Sequence, residues 1–348
     1  MRIPPAEILT TWPKANYIDP ETRGPGLIIV EIIILPLALL TLFLRLYVRI
    51  GILHKSGWDD WLMVAAAVFG TGVTTCVILA STKFGWDMHI WDLNLDNMTS
   101  GRQVSIAVQA LFVLATSFAK VSILTSYLRF APLDSWFRRI TYTSMGVILV
   151  SNFIFFVILW TQCTYVFPRA SFPSFLTLYS PTASYWNLFR FQTDCMPEEP
   201  PLMVQAVLTV LADFIVWVLP LPTLFAARLP RNQRLALIVL FSFGFFVVFA
   251  SCMRTYWIHY VVQETYDVTW EGFDLWIWTA VEVHLGVMCG CVPCLKSLFK
   301  GYQAAPPKKA GYTGGGSRAT VGPGLAPQIQ LVDQTGVVKG VAEGRGRA

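Results

Sequence analysis

The chain has 348 residues, of which 55% are hydrophobic, 14% aromatic and only 14% charged. That balance is too apolar for a soluble domain of this length and too aromatic for a disordered chain. The net charge of +5 is no nucleic-acid signature, because its basic residues are shared out among separate loops.

About 30 Å of hydrocarbon takes roughly 20 apolar residues to cross as a helix. Seven stretches meet that length: residues 26–47, 61–81, 104–127, 140–163, 202–226, 235–258 and 273–295. In lipid the backbone must satisfy its own hydrogen bonds, so each stretch reads as a helix and not as a strand with open edges. The expected fold is an all-α membrane protein, a seven-transmembrane helix bundle over residues 26–299. A segment of residues 1–25 precedes it, and a Gly-, Ala- and Pro-rich tail over residues 300–348 reads as disordered.

Along the chain, Arg2, Lys14 and Arg23 share the first segment with Glu7, Asp19 and Glu21. No cleavable signal peptide is expected, because the first apolar run starts only near Gly26 and is long enough to span. The first span carries Glu31 and Pro36 and ends on Arg45 and Arg49; the second opens on Asp59 and Asp60. Across so short a loop these four are expected to pair as an architectural clamp. Basic residues then gather after the first span (Arg49, Lys55), the third (Arg129, Arg138, Arg139), the fifth (Arg228, Arg231, Arg234) and the seventh (Lys296, Lys300). The connection after the sixth holds Glu264, Asp267, Glu271 and Asp274 with no Lys or Arg. Positive charge stays inside, which gives an outside N-terminus and a cytoplasmic C-terminus.

The loop after the second span holds a glycosylation sequon, Asn97-Met98-Thr99, on the side expected to face out. Cys163 and Cys195 bracket the long loop between the fourth and fifth spans, also on that side, and a disulfide between them is expected. The same loop runs through Tyr165, Phe172, Phe175, Tyr179, Tyr185, Trp186, Phe189 and Phe191. It reads as an interfacial anchor or as a lid over an outward-facing cavity. Cys289, Cys291 and Cys294 resemble a metal motif, but no second Cys or His pair completes it, so no metal is expected. Packing of small residues beside Pro293 explains the run, with palmitoylation as the alternative.

Ionisable groups inside spans are costly unless paired or solvated, and so point to function or to ties between helices. Asp213, Glu282 and His284 lie mid-span; Glu31, Lys120 and Arg254 lie nearer the ends. The mid-span three are the candidates for catalytic groups, and Lys120, Asp213, Arg254, Glu282 and His284 for a ligand cavity. Two residues on a helix are separated by about 200°, so Glu282 and His284 do not both face one point. Pro36, Pro220 and Pro222 inside spans are expected to kink their helices.

Arg45 to Arg49 followed by Gly57-Trp58-Asp59-Asp60-Trp61 opens an ordered set of motifs. It continues with Gly85 to His89, Lys120 to Arg129, Trp186 to Cys195, Asp213 to Pro222, Arg254, Trp278 to Glu282 and Pro293. In this order the set resembles the fungal rhodopsin-domain integral membrane family, which includes Pth-type receptor-like proteins and the membrane protein of the satratoxin cluster. The resemblance implies a seven-helix receptor-like fold and a fungal source. Some members are receptor-like and others are encoded beside secondary-metabolite enzymes, and no catalytic mechanism comes with it. Retinal is not expected: a Schiff base needs a lysine within the last helix, and the seventh span has none before Lys296.

Three functions follow from these residues. One is an accessory protein or intramembrane enzyme of a secondary-metabolite pathway, holding an apolar intermediate beside Asp213, Glu282 or His284. Another is a receptor-like sensor coupled to a cytoplasmic transducer near Arg129. The third, a transporter, is disfavoured by the lack of an internal repeat. The partners expected are the lipid bilayer, in the plasma membrane or an endomembrane, and a small apolar ligand.

Overall fold

A computed structural model describes residues 4–130, 135–161, 197–221 and 231–301, all within one compact unit, Met1–Ala304. Seven long helices make up most of it: α1 (Gly26–Leu46), α2 (Trp58–Phe84), α3 (Leu95–Phe130), α4 (Ser135–Thr161), α5 (Glu199–Val218), α6 (Arg231–His259) and α7 (Val268–Gly301). Wider π-helical turns, Tyr47–Ile52 and Tyr260–Glu264, extend α1 and α6. Among the described residues β-pairing is confined to one isolated bridge, Thr22 with Met88. All seven segments are long and apolar enough to cross a bilayer.

Local chemistry sets several boundaries. At the start of α2 the Gly57 N–H donates to the Asp60 carboxylate at 3.1 Å, which satisfies one of the free amides of the first turn. Gly85, at φ 67°, takes the left-handed turn that ends the helix, and the Trp86 N–H then donates to the Ala80 carbonyl at 3.2 Å. Pro200 and Pro201 open α5, where the missing amide costs nothing.

The third helix departs from its sequence-based bounds. It begins at Leu95, well before the apolar run, and takes in Asp96, Asn97 and Arg102. Apolarity marks where lipid is crossed, whereas helical hydrogen bonding continues into the polar layer. The sequon at Asn97 therefore sits in the first turn of α3 and not in a loop. The Cys163–Cys195 pair, the aromatic loop between them and Pro222 lie outside the described residues.

Burial separates the helices by role. In their most apolar windows 72% of α3 is buried but only 17% of α4, so α3 is the central strut. On α1, Ile29, Ile32, Ile33, Leu37, Leu40 and Phe43 are exposed, and Val150, Phe153 and Ile154 are exposed on α4. Such faces suit contact with lipid tails and not with water. Small residues bring the inner helices close: a Cβ on Gly70 of α2 would stand 3.0 Å from Val283 of α7. One apolar core cluster includes Met63, Ala66, Ala119, Leu124, Val287 and Cys291; another includes Val73, Val77, Val108, Val113, Phe273 and Val283.

Candidate functional site

Three polar clusters are embedded in this apolar frame. The first joins the end of α1 to the start of α2. Arg45 is fully buried and donates from Nε to Asp60 at 2.9 Å and from Nη2 to Asp59 at 2.9 Å. Its remaining donors reach the Gly290 carbonyl on α7 at 2.6 Å and Ser126 on α3 at 3.2 Å. Arg49 pairs with Asp59 and approaches Asp60 at 3.4 Å, and Arg129 from the end of α3 meets Asp59 at 3.1 Å. One guanidinium thus holds four helices. Arginine suits this place because its fork of five donors can satisfy two carboxylates and a carbonyl at once.

The second cluster was not legible in the sequence. His284 lies with Glu31 and Thr74: the Thr74 hydroxyl is 2.7 Å from Glu31 and 2.8 Å from the imidazole, and Glu31 stands 3.5 Å from His284. Glu31 and His284 are 0% and 2% exposed. Glu31, near the start of its span, is a buried partner of α7. One correction follows: His284 faces α1 and α2, not the cavity beside Asp213. The 200° between Glu282 and His284 is what sends them to opposite sides of α7.

The third cluster contains the other cavity candidates. Lys120 of α3 pairs with Asp213 of α5 at 3.1 Å and donates to the Thr209 carbonyl at 3.3 Å. Arg254 of α6 pairs with Glu282 of α7 at 2.7 Å, and its guanidinium lies 4.3 Å above the Phe112 ring. Two cavities meet at this second pair. A small one, about 40 Å³, is lined by Lys120, Asp213 and Glu282; a larger one, about 130 Å³, is lined by Arg254 together with Phe112, Gln109, Trp86 and Trp276. The Arg254–Glu282 pair is the partition between them.

The larger cavity is walled by α3, α5, α6 and α7 and is mostly apolar, with Arg102 and Glu198 paired at 2.7 Å on its margin. Trp86 packs edge-on against Trp276, with ring centroids 5.3 Å apart. Trp86 falls within the motif Gly85 to His89 just after the second span, whereas Trp276 lay unmarked, because a Trp in a span carries no charge to signal its place. Nearby, His89 is stacked between Trp91 at 4.4 Å and Trp270 at 3.8 Å, with Asp267 2.5 Å from its Nδ1. Asp87 in the same connection is half-buried, and that burial pushes its carboxyl above the ordinary range.

As chemistry, the arrangement offers fixed charge pairs and hydrogen-bond donors around an apolar space. Asp213 and Glu282 each hold a cation, Lys120 and Arg254 respectively. Among the described residues no three His, Cys, Asp or Glu side chains converge as a metal site. Cys291 is buried in the apolar core, and Cys289 lines the smaller cavity.

The model of the fungal rhodopsin domain matches residues 44–301. The protein Receptor GIN3 of Arthrobotrys oligospora is 23% identical over 298 residues, 84% of this chain and 67% of its own length. Fugralins biosynthesis cluster protein 2 of Gibberella zeae is 21% identical over 291 residues, 82% of this chain and 68% of its own. Satratoxin biosynthesis SC1 cluster protein 4 of Stachybotrys chartarum is 24% identical over 127 residues, 35% of this chain and 43% of its own. The chain thus spans about two thirds of the first two relatives and less than half of the third. No solved structure matches it.

Proposed function

Because this chain belongs to the fungal rhodopsin domain family, we propose that it is a multi-pass membrane protein of a fungal secondary-metabolite pathway that binds a small apolar molecule inside its helix bundle. The observation that carries this reading is the apolar cavity of about 130 Å³ whose polar edge is Arg254, backed by Glu282. A mostly apolar hollow with a few placed donors is the usual form of a small-molecule site between helices. Binding fits the geometry better than turnover, since the described carboxylates near the cavity, Glu198, Asp213 and Glu282, each hold a cation. Relatives named for fugralin and satratoxin biosynthesis clusters support the pathway context. The distribution of Lys and Arg supports an outside N-terminus and a cytoplasmic C-terminus.

Receptor-type sensing is the second reading. One relative is named as a receptor. In this chain α3 and α7 carry both cavity-lining residues and contacts to the Arg45 cluster, so one pair of helices touches both places.

The test is an untargeted metabolite profile of a deletion strain beside a strain carrying Ser105→Phe, which fills the cavity. Under the proposal both strains change the same product family while the variant stays at normal membrane levels. Build-up of one precursor with steady transcripts supports a pathway role, and a joint fall of transcripts and products supports the receptor. Unchanged profiles in both strains overturn the proposal.

A further inference from the structure

Among the described residues, the Arg254 and Trp276 side chains on the cavity wall each keep a buried donor without a hydrogen-bond partner. Arg254 uses Nε on Glu282 and lays its guanidinium face on Phe112, yet its Nη2 has no hydrogen-bond partner among the described residues. Trp276 Nε1 is also buried without one. Both residues are more than nine-tenths buried and both line the cavity. Native structures leave such groups unsatisfied only for a reason, and one reason is a ligand.

The space beside these donors is shaped as well. Gly272, one turn before Trp276, lines the cavity, and a Cβ there would sit 3.8 Å from Trp276 Nε1 and 3.6 Å from the Trp86 ring. The missing side chain keeps the indole N–H approachable. At about 130 Å³ the cavity is close to an engineered cavity of about 150 Å³ that takes benzene, so it accommodates a group about the size of one ring.

Charge settles the chemical class. Arg254 is balanced by Glu282, Arg102 by Glu198, and Lys120 below by Asp213. A carboxylate entering this site would lose its hydration and find no unbalanced cation among the described residues, which is a net cost. A neutral carbonyl oxygen can accept from the waiting donors at no such cost. An amine or another donor-only group would leave them unsatisfied.

We infer that the cavity takes a neutral, ring-sized apolar molecule bearing a carbonyl oxygen (a ketone, ester or lactone), received by Arg254 Nη2 and Trp276 Nε1. This rests on the small-molecule reading above and adds the class of ligand to it.

Three probes of nearly the same shape separate the possibilities: acetophenone, its hydrocarbon isostere α-methylstyrene, and benzoate. Each is titrated against the full chain in nanodiscs by saturation-transfer NMR, with empty nanodiscs as the reference for partitioning into lipid. Acetophenone is expected to bind about fivefold to tenfold more tightly than α-methylstyrene, the gain of one or two hydrogen bonds, and benzoate not to bind. In Trp276→Phe, which keeps an aromatic ring and loses the N–H, the ratio of ketone to hydrocarbon affinity is expected to shrink by about half. Equal binding of ketone and hydrocarbon overturns the carbonyl assignment and leaves a plain apolar site. Preferred binding of benzoate overturns it in favour of an anion site. Failure of all three probes to bind removes the small-molecule reading together with this one.

Discussion

Lys120 on α3 reaches Asp213 on α5 across 3.1 Å, with side chains only 7% and 6% exposed. A pair buried this deeply contributes little net stability when whole, because desolvation offsets its attraction. Broken, it leaves one charge stranded. Asp213→Asn is therefore expected to lower folded protein by an amount equivalent to about 3–5 kcal/mol. The double change Lys120→Met with Asp213→Leu is expected to recover most of that loss. Fluorescence-detected size exclusion of tagged variants measures both. A single variant at normal levels that loses function would instead give Asp213 a direct part in ligand binding or chemistry.

Arg45 holds Asp59, Asp60, Ser126 and the Gly290 carbonyl at once. Lysine keeps the charge but cannot direct donors along a planar fork to partners on three helices. Arg45→Lys is expected to cost about 3 kcal/mol or more and to leave little folded protein, close to Arg45→Ala. Thermal inactivation in mild detergent would show this, and a midpoint near that of the parent chain would refute it.

At Gly57 an added Cβ would overlap Arg129 Nη2 and Asp59 Oδ1, whereas at Gly146 on α4 it would meet nothing within 4 Å. Gly57→Ala is expected to destabilise by about 1–3 kcal/mol as Arg129 is pushed away from Asp59. Gly146→Ala should be neutral or stabilising by up to about 1 kcal/mol through helix propensity. The two midpoints, taken in the same detergent, should fall on opposite sides of the parent or leave Gly146→Ala beside it.

Asp87 carries a raised carboxyl pKa because burial disfavours its charged form. Its Oδ1 has no hydrogen-bond partner among the described residues. A raised folded-state value means that the stability from this group is fully present below the unfolded value, about 3.9, and is lost as pH rises through the folded one. Asp87→Asn is accordingly expected to be more stable than the parent at neutral pH, with the difference vanishing near pH 4. Thermal midpoints of both proteins between pH 4 and 7.5 test the sign; a gap that widens toward acid would reverse it.

The spans were legible in the sequence, because crossing lipid demands a local property, length and apolarity, that no distant residue can supply. Arg45 and Arg49 stand one short connection from Asp59 and Asp60, so chain distance alone brings them near each other. Spacing on α7 also separates Glu282 from His284. Which helix each of them would meet was not written locally. Glu282 found Arg254 and His284 found Glu31 because the rotation and packing of α7 against α6, α1 and α2 set those partners. The polar reach of α3 beyond its apolar run, with Arg102 on Glu198, was hidden for the same reason. The cavity itself, with Trp86, Trp276 and the gap at Gly272, is a space between helices and belongs to no single segment. Sequence by itself determined the seven membrane-crossing helices and the charges they carry; tertiary packing alone decided which charges cancel, which donors remain and where a ligand has room.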